Sequence, residues 1–220
     1  MRNTHRISVI LESSQMVITT NQSSLVSLSI AIKGTAGKII NWQWGDGTST
    51  VTTLSGTGTT NTITKSYSST GIYRITISGD IGEITSWIFD NTTWSVTLDE
   101  IGKMKKLNAF SSSSASSISG NLSSLPSGLS TVVISGSNTV ADYTSPRTWA
   151  NNMVQVYMRQ AAGYGLSTSE VDNLLIDLSA VPTWTSSKSI DLRGVNAARS
   201  SASDAAVAIL VSKGVTVLTN

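Results

Sequence analysis

The sequence predicts a mainly β protein with some α structure, in which an antiparallel β-sandwich is followed by a short, irregular stack of repeated strands. Residues 1 to about 80 alternate apolar and polar side chains between turns that contain Gly and Ser, a pattern typical of half-buried strands. After Asp80 a short extended signature recurs, and two segments near the C-terminus have helical spacing. We therefore divide the chain into residues 1–80 and residues 81–220.

Several short strands are expected in the N-terminal part. They fall at Ile7–Leu11, Leu25–Ile32, Ile39–Trp44, Val51–Leu54, Thr60–Thr64 and Tyr73–Ile77. The third ends in Gly45-Asp46-Gly47, where the glycines allow the positive φ of a tight hairpin. Short strands separated by such turns favour an antiparallel sandwich.

The N-terminal part also carries a spaced set of motifs. Trp-Gln-Trp-Gly-Asp-Gly-Thr at 42–48 is followed by Lys-Ser-Tyr at 65–67 and by Gly-Ile-Tyr-Arg-Ile-Thr-Ile at 71–77. In this order and spacing they resemble the PKD domain family of immunoglobulin-like sandwiches, over residues 6–80. Lys65 stands where that family usually has His, a departure that leaves the implied fold intact.

Asp46 has two interpretations. It could be a calcium or catalytic carboxylate, or its side chain could accept backbone N–H bonds and hold the hairpin. No second carboxylate lies nearby in sequence to share an ion, so we expect the structural role. Trp42 and Trp44 fall on one face of a strand, and at least one of them is expected in the core.

The repeated signature of the C-terminal part is apolar-x-apolar-x-Gly-x-Asn. It is clearest at Ile190–Asn196 and Val132–Asn138, with weaker copies at 107–109, 156–158 and 215–220, at intervals of about 25 residues and one longer interval. A single copy cannot bury its own apolar face, so copies must stack. With Leu122–Val132, these residues resemble an irregular, degenerate leucine-rich-repeat solenoid over residues 84–220.

Two connecting segments are predicted to be helices. Ser167-Thr168-Ser169-Glu170 is a capping box before Val171, Leu174, Leu175 and Leu178. Ser201-Ala202-Ser203-Asp204 precedes a second helix, whose expected apolar face is Ala205, Ala208, Ile209 and Val211.

Composition excludes several classes of function. Charged residues make up 13% of the chain and the net charge is +2, too weak a balance for a nucleic-acid binder. There is no cysteine, hence no disulfide or thiolate metal site. We expect neither a secretory signal nor a membrane span, since the apolar run near the N-terminus is too short for either.

Catalytic chemistry is not expected. A Ser-His-Asp triad needs a histidine base, and the only histidine is His5, near the N-terminus. No catalytic pair of carboxylates, histidine zinc site or phosphate-binding glycine loop is recognisable. We therefore expect no catalytic, cofactor-binding or metal-binding residue and no cofactor.

Binding is the remaining class. The aromatic side chains of the repeat part could stack on sugars, or fill gaps between irregular repeats and at an oligomer interface. The gap-filling role is expected for most of them, and Trp149, Tyr164 and Trp184 are kept as weak binding candidates.

The two resemblances together imply a function. A PKD-like sandwich followed by leucine-rich-like repeats is similar to surface proteins of Bacteroidetes-type bacteria and to uncharacterised virion proteins of their phages. We expect a non-enzymatic virion structural protein, made in the host cytoplasm: a capsid decoration, head-fibre or tail-associated component. Its partners would be other virion proteins, copies of itself and a host-surface glycan or protein. The alternative is an adhesion module on a bacterial cell surface.

Overall fold

Fifteen strands and three α-helices are found in the described residues of a computed structural model, which are 15–23, 27–88, 94–112, 117–136, 139–161 and 165–220. The strands are β1 (Met16–Gln22), β2 (Leu28–Gly34), β3 (Ile39–Gln43), β4 (Ser49–Thr53), β5 (Asn61–Lys65), β6 (Gly71–Gly79), β7 (Ile84–Ile88), β8 (Trp94–Thr97), β9 (Ala109–Ser112), β10 (Ser117–Asn121), β11 (Thr131–Gly136), β12 (Thr139–Asp142), β13 (Asn152–Gln160), β14 (Thr183–Asp191) and β15 (Thr216–Leu218). The helices are α1 (Leu98–Ile101), α2 (Thr168–Ser179) and α3 (Asp204–Ser212). The fold is therefore mainly β with some α, as predicted.

Both sheets run across the two parts of the chain. The first has the strand order β12-β10-β8-β1-β6-β3-β4, and the second has the order β15-β14-β13-β11-β9-β7-β2-β5. Pairing is antiparallel among β1 to β6, and also where β8 meets β1 and β7 meets β2. It is parallel from β7 to β9 and onward, and from β8 to β10 and onward. Neither sheet is interrupted at residue 80.

The two sheets face each other across one continuous core. Trp42 of the first sheet stacks on Trp44, with ring centroids 5.5 Å apart, and meets Trp87 of the second sheet at 5.9 Å. All three side chains are fully buried. Trp87 lies beyond residue 80, so residues from both parts of the chain build the same packed layer.

The repeated signatures are all found at strands of one sheet. The five copies correspond to β9, β11, β13, β14 and β15, which lie in consecutive positions of the second sheet. Four strands that the sequence analysis did not identify, β7, β8, β10 and β12, extend the two sheets beside them. The predicted strand at Ile7–Leu11 lies outside the described residues.

β1 was also missed, and its burial explains why. Its inward side chains alternate as a strand requires, but two of them, Thr20 and Gln22, are polar and fully buried. Polar residues at inward positions remove the apolar alternation by which a strand is recognised.

Helix α2 has the structure that its sequence predicts. Ser167 Oγ accepts from the Glu170 N–H at 3.4 Å, and the Glu170 carboxylate accepts from the Ser167 N–H at 2.9 Å. Its buried apolar residues are the expected Val171, Leu174, Leu175 and Leu178.

The predicted face of α3 is wrong. Ala206 and Leu210 are buried, whereas Ile209 and Val211 are exposed. The reason is a polar anchor: the buried Ser203 Oγ donates to the Asp172 carboxylate of α2 at 2.6 Å. This bond turns residues 203, 206 and 210 toward α2, and in a helix with so many apolar residues the spacing alone does not specify the face.

Candidate functional site

The Gly45-Asp46-Gly47 turn is held by its own aspartate. Asp46 Oδ1 accepts from the Thr48 N–H at 3.0 Å, and Asp46 Oδ2 pairs with Lys65 Nζ at 2.5 Å. Burial raises the pKa of Asp46, but hydrogen bonds from Lys65 and Thr48 outweigh it and lower the pKa to about 2. Lys65 thus neutralises a carboxylate whose oxygens are both engaged by contacts of the turn.

Trp149 lies inside a network of polar and aromatic side chains. It is 3% exposed, stacks on Tyr143 with centroids 6.4 Å apart, and has the Arg147 guanidinium 4.3 Å from its ring centre. Tyr143 donates its hydroxyl to Asp177 at 2.7 Å. Arg147 donates to the carbonyl oxygens of Ser123, Leu125 and Pro126. The network ties the segment before β13 to α2 and to the preceding turn.

Burial governs the ionisation of this network. It raises the pKa of the Tyr143 hydroxyl, with the hydrogen bond to Asp177 acting in the same direction. It lowers the pKa of the Arg147 guanidinium, against the attraction of Tyr143 and Asp177. The phenol therefore remains a hydrogen-bond donor to Asp177.

The three candidate rings do not form one site. Trp184, on β14, is 4% exposed, so neither it nor Trp149 presents a ring face to solvent. Tyr164 lies outside the described residues. Trp149 nevertheless belongs to the lining of a groove of about 450 Å³ that the sequence did not predict, together with Pro146, Arg147, Ile176, Asp177 and Pro182. No sequence signal joins residues that lie thirty positions apart.

A second groove, of about 470 Å³, lies at the end of β13, where that strand meets the turn after β14. It is lined by Tyr157, Arg159, Gln160, Ala161, Gly194 and Val195. Gly194 makes the close approach possible, since its φ is +96° and a Cβ atom would lie 2.3 Å from the Gln160 carbonyl oxygen. In the sequence this glycine belongs to the repeat signature, and no pattern there predicts the groove.

Beside the second groove one arginine is paired with a carboxylate and another is not. Arg193 donates to both carboxylate oxygens of Asp191, at 3.0 Å and 2.7 Å. These hydrogen bonds, more than any other cause, hold the pKa of Asp191 below its ordinary value, and the nearby Arg159 acts in the same direction. Arg159 itself is exposed, and its side chain makes no hydrogen bond or ion pair with another described residue.

A third groove, of about 360 Å³, lies beside the Asp46 turn. Its lining is polar and includes Gln43, Gly45, Ser49, Arg74 and Thr76. Gly45 lets the turn approach the backbone of β6 closely, because a Cβ atom there would lie 2.6 Å from the Arg74 carbonyl oxygen. No aromatic ring lines this groove.

The described part of the chain can be searched for a metal site and for a histidine that could act as a base. No group of three or more His, Cys, Asp or Glu side chains there could hold a metal ion. His5, the one candidate base, lies outside it.

Among the helices that the structure describes, none combines the length and the apolar character needed to cross a membrane.

Comparison with known proteins returns no match: no protein-family model, curated protein or solved structure is similar to this chain.

Proposed function

We propose that this protein is a non-enzymatic structural component of a phage virion: a capsid decoration, a head fibre or a tail-associated protein. In this proposal its N-terminal part is a PKD-like, immunoglobulin-like sandwich and its C-terminal part is a short leucine-rich-repeat-like solenoid. Its partners are copies of itself and other virion proteins, and it contacts a glycan or protein of the host surface.

The topology supports the two-part description. The first part pairs its strands antiparallel through hairpins such as β3–β4, with Trp42 packed between facing sheets. The second pairs its strands in parallel, with β9, β11, β13, β14 and β15 in chain order within one sheet. Parallel neighbours in chain order are typical of stacked repeats.

The observation that carries the proposal is the exposure of apolar side chains at both ends of the sheets. At one end Val51, on the terminal strand β4, is 65% exposed and Ile39, on its neighbour β3, is 45% exposed. At the other end Val211 of α3 is 58% exposed and Leu218 of the terminal strand β15 is 37% exposed. Terminal strands offer backbone groups for further pairing, and exposed apolar clusters mark interaction surfaces. Two such ends joined by one core suit a protein held between neighbours in a particle.

The direct test is the composition of purified particles. Phage particles are banded on a density gradient and their proteins are quantified by mass spectrometry against the major capsid protein. We expect a fixed copy number that matches a symmetry of the capsid or tail. Absence from particles, together with presence in the cell envelope fraction, would overturn the proposal in favour of the adhesion module.

The adhesion module is supported by one specific observation, the Tyr157–Arg159 groove, because an exposed cation beside an aromatic ring suits a glycan on any surface. A bacterial adhesin would be found on intact cells that carry no phage, and labelling of surface-exposed lysines on such cells separates the two functions.

A further inference from the structure

We propose that the groove formed by Tyr157, Arg159 and Gly194 binds the carboxylate-bearing sugar of an acidic glycan, with Arg159 holding the carboxylate and Tyr157 contacting the sugar ring. The choice of a glycan as ligand rests on the proposed role at a host surface. The site itself rests on the geometry of β13 and of the turn that follows β14.

Strand register places the two side chains together on one face. Within β13, Val156, Met158 and Gln160 are fully buried, so Tyr157 and Arg159 project to the opposite, outer face of the sheet. Tyr157 lies between Val133 of β11 and Asp191 of β14 in the ladder. The register of the parallel sheet therefore fixes the backbone positions from which the ring and the cation project.

The wall of the groove is backbone brought close by glycine. The Val195 N–H donates to the Gln160 carbonyl oxygen at 3.3 Å. The turn can approach β13 so closely because residue 194 lacks a Cβ atom. This wall of the groove is thus built from backbone and does not depend on the position of a long side chain.

The charge balance favours an anion. Asp191 is almost fully buried, and its two carboxylate oxygens accept hydrogen bonds from Nε and Nη2 of Arg193. This pair is self-neutralising, so Arg159 contributes one net positive charge at the mouth of the groove. A guanidinium binds a carboxylate through two parallel hydrogen bonds.

The aromatic ring favours a sugar over a free anion or a nucleic acid. The Tyr157 ring offers apolar surface beside a polar handle, which suits the C–H face and the hydroxyls of a pyranose. A groove of about 470 Å³ lies in the range that holds a small ligand. One uncompensated arginine is too few for nucleic acid, whose binding depends on several phosphate contacts.

The test is a titration of the full-length protein by isothermal titration calorimetry. The probes are a tri-galacturonate, its neutral methyl ester and sodium acetate, each at the same ionic strength. We expect the tri-galacturonate to bind, the ester to bind at least about tenfold more weakly, and acetate to bind more weakly still, because a charge-assisted bidentate pair is worth about tenfold or more in affinity. Equal affinity for acetate and tri-galacturonate, or no binding of tri-galacturonate, would overturn the inference.

Arg159→Gln is the decisive variant, since Arg159 is exposed and its loss leaves the core intact. Arg74→Gln is its matched control, because Arg74 is also exposed and lines a polar groove of the other sheet that has no aromatic ring. We expect Arg159→Gln to lower the affinity about tenfold and Arg74→Gln to leave it unchanged. Equal losses in both variants would show attraction by general surface charge and refute the site.

The two proposals fail separately. Arg159→Gln is expected to enter particles at the same copy number as the unaltered protein, because Arg159 lies on β13, two strands away from the terminal strand β15 that carries the exposed Leu218. Normal incorporation with no glycan binding would refute the glycan site alone. Absence of every variant from particles would refute the virion role alone.

Discussion

The antiparallel and parallel parts of this molecule satisfy their backbone polar groups in different ways. In the antiparallel part the strands follow one another through tight turns, and the Asp46 turn completes its bonds within a few residues. In the parallel part each strand is followed by a connection that crosses to the other side of the core. Backbone groups of that connection are then met by buried polar side chains from a neighbouring repeat.

Two amides show the second strategy. Gln160 is fully buried and forms two 2.8 Å hydrogen bonds with Val140, one to its N–H and one to its carbonyl oxygen. Asn196 is 3% exposed and bonds to the Leu166 N–H, the Met158 carbonyl oxygen and the Leu192 carbonyl oxygen. Irregular repeats can therefore stack without regular hydrogen bonding throughout, provided that such side chains are present.

Loss of packing in the antiparallel part is expected to have the largest effect. Trp42→Ala removes a fully buried ring that contacts Trp44 and Trp87, and it should lower the free energy of unfolding by about 4 kcal/mol. Val51→Ala, at a 65% exposed position, should change it by less than about 0.5 kcal/mol. Denaturant titration checks both. A loss below about 1 kcal/mol for Trp42→Ala would show that the tryptophan layer is not a shared core.

Loss of a buried amide in the parallel part should have the second largest effect on the free energy of unfolding. Asn196→Ala leaves one N–H and two carbonyl groups without their partner, and the expected loss is about 3 kcal/mol. Asn21→Ala, at an exposed position of β1, is the control and should be nearly neutral. If the two variants unfold at the same denaturant concentration, buried amides do not hold the repeats together.

The carboxylate between the two long helices should have a smaller effect. Asp172 accepts hydrogen bonds from the Ser200 N–H and Oγ and from Ser203 Oγ. Asp172→Asn keeps the shape of the side chain but replaces one accepting oxygen with an NH2 group, which cannot accept these bonds. We therefore expect the free energy of unfolding to fall by about 2 kcal/mol. Hydrogen exchange should rise first in α3, because Ser203 anchors that helix. Unchanged exchange in α3 would contradict the anchoring role.

The smallest effect is expected from acidification of the Asp46 turn. The pKa of Asp46 is about 2 in the folded protein against an ordinary 3.8, so its contribution is fully present above about pH 4 and is lost as the pH falls through about 2. After allowance for solvent screening it amounts to about 1 kcal/mol. Thermal unfolding of Asp46→Asn should depend less on pH than that of the unaltered protein between pH 4 and 2. If the unfolding temperatures of the two proteins depended on pH in the same way, the contribution assigned to Asp46 would be contradicted.

The sequence predicts structure best where neighbouring residues determine it. The capping box before α2 and the buried Trp42–Trp44 pair follow from local spacing, because the physical cause lies within a few residues. The Arg147–Asp177 network and the Tyr157 groove join residues about thirty positions apart, and no local pattern relates them. The face of α3 was predicted wrongly because a distant partner, Asp172, sets its rotation. Long-range polar contacts are therefore the part of the structure that a single sequence does not predict.

The central claim is that the two parts form one cooperative unit, since both sheets and the core continue across residue 80. Native-state hydrogen exchange over a series of denaturant concentrations tests it most directly, by comparing amides of β3 in the first part with amides of β13 in the second. The account predicts that both strands exchange through the same global opening, with equal free energies and equal dependence on denaturant. Exchange of one strand through a separate, lower-energy opening, with the other still protected, would show two independent domains and contradict the claim.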